Sequence, residues 1–599
     1  MRLPVSLFLF LAIPPVAVSA QAVRYEVSVP TPALHLLHVK ADFPSGGKDT
    51  LYLSLPAWSP GNYEIQNYAR YVRGFGAKTA AGASLFWDRF DKDTWRVVTG
   101  KSDRVQVEFD YFADSIDLSM ARVLPDFAEI LGTNVFLYEE GKLDRPAEVR
   151  FTLPAGWKLA TALKGGADGT YQAPNYHELV DAVTFLGSFS LDSVVVDGKP
   201  VRIAVWPAAD YTAPVAKSLR ESVTRIATEE NKEMGGPPYD AYTIFFNVIH
   251  EPVNFGGGLE HSYSQFDIMP ANAFADPQSG QLGDFMNPLL SHEMFHLWNV
   301  KRMRPAEMWP YDYHAEQFTP LLWWSEGVTD YYADLTNWRA GIWDDNAFLG
   351  NVMQNIQQVE SAPEPWSEED GSEATWINEV YVNSSQLYYP KGSLTGLLLD
   401  ISIRDATNNA HSLDEVTRVL FERYYKQGKG FRTGDLLALL REFGLPDVDG
   451  FYQKFINGRD ALPYEQVFPL AGLVAKKIEN TSPFLGVQTT GDGAAVAGLV
   501  PGGAAEAAGL QVGDTLISIG SVQVAGQVGT DWGQAYRTQY KGKAGQPIDV
   551  VVRRKGQVVT LHTQVKERTV SSYHVTKADN PTAKATRIWK GLASGTIGQ

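Results

Sequence analysis

Leu290-Ser-His-Glu-Met-Phe-His-Leu-Trp-Asn299 is the stretch on which the reading of this 599-residue chain turns. It holds His292, Glu293 and His296 in the spacing H-E-x-x-H. On a helix, positions i and i+4 share a face, so the two imidazoles can bind one zinc ion. Glu293, one step round, then faces the water that the metal activates. Two solvated histidines on a surface helix would have the same spacing, so a third ligand must be found elsewhere in the chain.

A catalytic zinc site has three protein ligands and one open position. Asn299 and Arg302 stand where the metzincin pattern requires Gly and His, which excludes that continuation. The alternative is a glutamate from a following helix. Glu326 is the best candidate, because it lies mid-helix in the aromatic run Leu321 to Tyr332, where an unpaired carboxylate would be costly. Glu316 is the runner-up. Asp330 shares the face of Glu326 and could accept the second ring N–H of a ligand histidine, or it is an ordinary helix-surface carboxylate. The chemistry expected is attack of water on a carbonyl, with Glu293 as general base. Tyr389 could donate its O–H to the oxyanion, although any of the 27 tyrosines or the histidines could do so, and a packed core Tyr is the alternative.

Composition sets the wider frame. With 44% apolar and 12% aromatic residues the chain can build several cores. A net charge of −17 argues against general nucleic-acid binding, which needs a basic surface. There is no Cys, so disulfides and thiolate metal ligands are excluded. Arg2, the apolar run Val5 to Ala17 and Val18-Ser19-Ala20 read as a signal peptide over 1–20, with maturation near Gln21. Periplasmic or secreted localisation is expected, with no stable membrane span.

In chain order, residues 21–192 show short alternating runs, such as Thr50–Leu55, Val105–Tyr111 and Ala147–Leu153, and predict an antiparallel β domain. Residues 193–475 predict an α/β portion followed by helices. Its elements are strands Val201–Trp206, Tyr242–His250 and Ser262–Ile268, a helix Val215–Glu233, and a motif helix starting at Asn287-Pro288. Further helices are expected from Thr319-Pro320 to near Gly341, over Leu387–Asp405 and Leu413–Tyr425, from Thr433 to Phe443, and over about 449–457. Phe255-Gly-Gly-Gly-Leu-Glu-His261 reads equally as a cleft-lining edge strand or a plain glycine hairpin. Residues 476–570 predict a small glycine-punctuated β module, with Lys476–Ser482 as linker and 571–599 as a polar tail. The fold class is multidomain α+β.

Several motifs now fall into order: His292-Glu-x-x-His296-x-Trp-Asn-Val-Lys301 with Arg304-Pro305, Trp324-x-Glu326-Gly327-x-Thr-x-Tyr-Tyr332, Tyr389-x-Lys-Gly392, and Pro56-x-Trp-Ser-Pro-Gly61 with Tyr63. Together with the terminal module they resemble the glycyl aminopeptidase family of gluzincin metallopeptidases. The resemblance implies a thermolysin-like catalytic domain with one zinc ion on His292, His296 and Glu326, Glu293 as base and Tyr389 at the oxyanion. Gly257-Gly258-Leu-Glu260-His261 is similar to the Gly-x-Met-Glu-Asn strand of leucyl-type relatives, which implies that Glu260 anchors a peptide's free α-amine. His261 departs from the Asn of that pattern. A small first residue, Gly or Ala, is the implied preference.

The C-terminal module resembles a PDZ domain, with Phe484-Leu-Gly-Val487 as the loop for a peptide C-terminus. Two other functions remain open at this point. One is a PDZ-based peptide-binding or quality-control protein with little catalysis, and the other is a zinc endopeptidase.

Overall fold

Alternation in the first β runs dictates a one-sided sheet: Tyr25 and Val27, Val39, Ala41 and Phe43, and Val105 to Tyr111 at every second position are buried. The computed structural model describes residues 21–166, 168–251, 256–362, 366–377, 386–490, 494–524 and 532–598. The signal segment expected over 1–20 lies outside them. The chain forms two compact units, one reaching to Phe318 with Arg418–Arg432 added, the other made of Thr319–Thr417 and Thr433–Gln599.

The first unit opens with the β domain. A seven-stranded sheet runs in the order 164–165, 171–173, 147–152, 23–28, 36–44, 104–112, 72–79. It is antiparallel except that Val23–Ser28 pairs parallel with Ala147–Thr152. Two four-stranded antiparallel sheets complete the domain. A five-stranded sheet follows, in the order 190–196, 199–206, 242–249, 264–270, 257–261. Its three middle strands are parallel, and all eight residues of Tyr242–Ile249 are buried, as a strand covered on both faces requires. Phe127, Phe185, Phe189, Phe245 and Phe266 form one core between this sheet and the β domain. Gly257–His261 turns out to be both alternatives at once, the arm of a hairpin and the edge strand of the sheet.

The helix Ala213–Met234 starts at a Thr212 cap and ends on Gly235 in the left-handed conformation. It supports the motif helix Met286–Phe295, where Ser291 Oγ donates to Glu230 at 2.9 Å. That helix begins two residues before Pro288, the expected first helical residue, so Asn287 lies inside it and Phe285, not Asn287, occupies the cap position. Pro288 then sits in the first turn, where its missing N–H breaks no bond.

The second unit is helical at first. Its leading element is not the uniform helix expected from Thr319-Pro320: a π-helical turn over Trp323–Gly327 precedes the α-helix Val328–Arg339. Such single-turn widenings of an α-helix are frequent at functional sites. Helix Tyr388–Ala406 crosses it at a glycine pair. A Cβ on Gly327 would overlap the Tyr388 carbonyl, and one on Gly392 would meet the Trp323 carbonyl. The two motifs Glu326-Gly327 and Tyr389-x-Lys-Gly392 are thus joined backbone to backbone.

Two expectations fail here. Lys476–Ser482 is not a linker but the middle of strand Leu473–Pro483, paired along its whole length with Glu567–Lys577. Both faces of the strand are polar, which hides it in the sequence. Residues 571–599 are not a loose tail either, since they finish that strand and form helix Ala583–Ser594. Ile588 and Leu592 are buried, and Arg404 Nη1 donates to the Thr596 carbonyl at 2.8 Å. Between the two ribbon strands lies the β module, with its own core of Leu516, Ile519, Tyr536, Val550 and Val552 among others.

Candidate functional site

The motif helix carries its two histidines as the spacing requires: His296 N–H donates to the His292 carbonyl at 3.2 Å, and the two Nε2 atoms lie 2.9 Å apart. His296 Nδ1 lies 2.5 Å from the Asn299 carbonyl, which can only accept. The proton is therefore on Nδ1 and the Nε2 lone pair faces the His292 ring, the tautomer of a metal-bound histidine. With that lone pair turned toward a second ring nitrogen, the donor set fits a shared cation.

Strand Gly257–His261 lies directly against this helix. A Cβ on Gly258 would overlap the Glu293 side chain, so only glycine lets the strand approach this closely. Glu260, two residues on and therefore on the same strand face, joins Glu293 and His296 in a group whose ligand atoms all lie within 4.8 Å of one another. All three are buried, Glu260 at 3% exposure and Glu293 at 4%. Gly258→Ala is expected to displace the strand from Glu293 and lower kcat/KM about 10²-fold, the usual effect of a ~1 Å misplacement, with metal content unchanged.

His261 points to the opposite face from Glu260. Its Nδ1 is 3.1 Å from Asp181 Oδ1, which also accepts from Lys301 Nζ at 2.8 Å, while Ser262 N–H donates to Asp181 Oδ2 at 2.7 Å. Burial pushes the Asp181 carboxyl up, but Lys301 and His261 outweigh it and hold the group well below the carboxylate range. This network ties the glycine strand to the turn after the motif helix. Arg302 closes it by donating to the carbonyls of Leu297, Pro238 and Ser262.

Lys301→Met leaves the buried Asp181 without its cation and is expected to destabilise by about 3–5 kcal/mol in denaturant unfolding at neutral pH. Because the folded-state pKa of Asp181 is depressed, this contribution is complete above about pH 4 and is lost as pH falls further. The gap between wild type and variant should therefore narrow in acid.

The β domain also reaches the site. Gly61 has φ +106°, and a Cβ there would run into the Glu260 carboxylate. Its loop is fixed by Tyr68 Oη donating to Ser59 at 2.9 Å and by Trp58 Nε1 donating to the Asp312 carbonyl at 2.8 Å.

In the second unit, Glu326 sits in the π-helical turn at 3% exposure, and Asp330 is half-buried on the next turn. The Tyr388 hydroxyl is held well above its usual range, by burial first and then by the Glu326 carboxylate. Tyr389 is half-buried and stacks on Tyr388 with ring centroids 4.8 Å apart. Lys391 turns elsewhere, donating to the Trp366 carbonyl at 3.0 Å. Glu316, the runner-up ligand, is exposed on a loop of the first unit.

Sequence reasoning missed Asp181 and did not give Gly61 a contact. Asp181 is a lone acid 120 positions before its lysine, which leaves no pattern to find. Pro60-Gly61 was legible as a turn, but not as one seated on Glu260.

Comparison with known proteins bears on the domains and the fold. Residues 24–187 match a Peptidase M61 N-terminal domain, 286–395 an M61 glycyl aminopeptidase domain, and 474–531 a PDZ domain. No curated protein sequence matches the chain. Among solved structures, an aminopeptidase N family protein from Idiomarina loihiensis shares the fold, at TM-score 0.84 and 22% identity over 95% of this chain and 100% of that one. An M1 zinc metallopeptidase from Deinococcus radiodurans is similar at TM-score 0.48 and 16% identity, over 74% of this chain and 95% of that one. The chain is a zinc metallopeptidase of the M61 glycyl aminopeptidase family, with an M61 N-terminal domain, an M61 catalytic domain and a PDZ domain in that order.

Proposed function

We propose that the protein is an exported aminopeptidase that releases small first residues, Gly or Ala, from peptides with a free N-terminus, using one catalytic zinc ion on His292, His296 and Glu326. The observation that carries the reading is the second carboxylate, Glu260, buried beside Glu293 and His296. An endopeptidase has no use for an anion there, whereas an α-ammonium group needs one. For Glu326 the support is its burial, its place in the same matched domain as the two histidines, and the Trp-x-Glu-Gly motif. Asp330, on the same helix face, is assigned to orienting a ligand histidine.

When bound, zinc supplies Lewis acidity that polarises the scissile carbonyl and acidifies water. Glu293 takes the proton of the attacking water and passes it to the leaving nitrogen. Glu260 accepts from the substrate ammonium and so fixes which peptide bond is cut. Tyr389 donates its O–H to the carbonyl oxygen as charge builds there. His261 acts through Asp181 and Lys301 to hold the strand that presents Glu260.

The PDZ domain is assigned a peptide C-terminus. Its strand Val487–Thr490 is an edge, paired among the described residues only with Ala495–Leu499. Export rests on the pattern of residues 1–20 and is checked by finding Gln21 at the mature N-terminus by mass spectrometry.

Chelation tests the chemistry. Hydrolysis of Gly- and Ala-p-nitroanilide should vanish on treatment with a chelator and return with zinc. Full activity in the metal-stripped protein would contradict the assignment.

A further inference from the structure

A second group of potential ligands lies on the first unit, away from the motif helix. The turn between strands Trp87–Arg89 and Thr94–Val98 carries Asp91 and Asp93, and the segment before Thr319 carries His314. One ligand atom from each lies within 4.8 Å of the other two.

The group is built rather than accidental. Asp91 Oδ1 accepts from the backbone N–H groups of Asp93, at 3.1 Å, and Thr94, at 2.9 Å, which fixes its carboxylate over the turn. Asp93 is fully buried, and its Oδ2 has no hydrogen-bond partner. His314 Nδ1 lies 3.0 Å from Asp93 Oδ1, yet it too is buried and makes no hydrogen bond. Two donor atoms at that separation, misaligned for a hydrogen bond, have the spacing of neighbours in a coordination shell.

Charge points the same way. Two carboxylates side by side need a cation, and Asp93 is pushed up to about 6 by burial and by Asp91. Arg89 acts on both acids through space only, since its guanidinium donates to the carbonyls of Lys92 and Ala69 and lies over Trp95. His314 and Lys92 pull the Asp93 carboxyl down through space, but less than burial and Asp91 push it up. His314 is itself held in place, with Asp312 Oδ1 accepting its N–H at 2.9 Å.

We propose that Asp91, Asp93 and His314 bind a second divalent cation of the zinc class, at a structural site separate from the catalytic one. Two carboxylates and an imidazole suit zinc or manganese, whereas calcium and magnesium take oxygen donors alone. Asp91 is exposed, so a water completes the shell from the solvent side. The ion clips the turn at 91–93 to the segment at 314, more than two hundred residues away in sequence.

The test is a count of metal. The full mature protein is stripped with a chelator, reloaded with zinc, desalted and analysed by plasma mass spectrometry. Wild type should hold two equivalents, and the Asp93→Asn, His314→Gln double variant one, with Ala-p-nitroanilide turnover retained and the zinc-dependent rise in melting temperature reduced. The His292→Ala, His296→Ala variant should keep one equivalent while losing turnover, which separates this site from the catalytic assignment. One equivalent in wild type, or two in the Asp93→Asn, His314→Gln protein, overturns the proposal. If that double variant does not fold, the exposed Asp91→Asn decides: a second zinc bound at least tenfold more weakly supports the site, and unchanged affinity overturns it.

Discussion

Glu293→Gln should lower kcat by about 10²- to 10⁴-fold, the range for losing a positioned general base, while KM and zinc content stay near wild type. Glutamine has the shape of glutamate, so the glycine strand that lies against residue 293 keeps its seat. What is lost is the capacity to accept a proton. Because that capacity is used only as the reaction proceeds, the change falls on kcat rather than on substrate binding. Single-turnover kinetics with Ala-p-nitroanilide, alongside metal analysis, gives the result directly, and near-normal turnover would remove Glu293 from the mechanism.

Glu260→Gln should produce the second large effect, of a different kind. Removing one partner of a buried charge pair costs about 2–5 kcal/mol, on the order of 10²- to 10³-fold in kcat/KM for substrates with a free amine. Substrates whose amine is blocked never formed the pair, so the variant should gain little or nothing on them and the ratio between the two classes should collapse. Zinc content is expected to hold. A uniform loss on both classes would assign Glu260 to the scaffold instead of to recognition.

The parts of this site that were legible in the sequence are those whose residues lie within one helix turn or one strand. His292, Glu293 and His296 need only one helix turn, and Glu260 needs only strand alternation to share a face with Gly258. The Glu326 and Tyr389 segments were recognisable as helices, but the π-helical turn over Trp323–Gly327 was not, since no residue pattern separates it from an α-turn. Long-range pairing was less accessible. Nothing near Asp181 announces Lys301, and the roles of Asn299 and Lys301 appear only once the Asn299 carbonyl is seen against His296 and the lysine against Asp181.

The C-terminal region misled for a related reason. A strand polar on both faces, Lys476–Ser482, looks like a linker until its partner at 567–577 is known. Helix Ala583–Ser594 buries so few large residues that its Thr582 cap was easy to overlook.

The central claim is that Glu260 makes the enzyme read a free amine. It is tested most directly by comparing kcat/KM for Ala-Ala-p-nitroanilide and its N-acetylated form on zinc-loaded wild-type protein, following first-residue release by mass spectrometry. The account predicts stepwise removal of alanine from the free peptide and rates at least about 10²-fold lower on the acetylated one. Equal cleavage of both would contradict it and make the protein an endopeptidase.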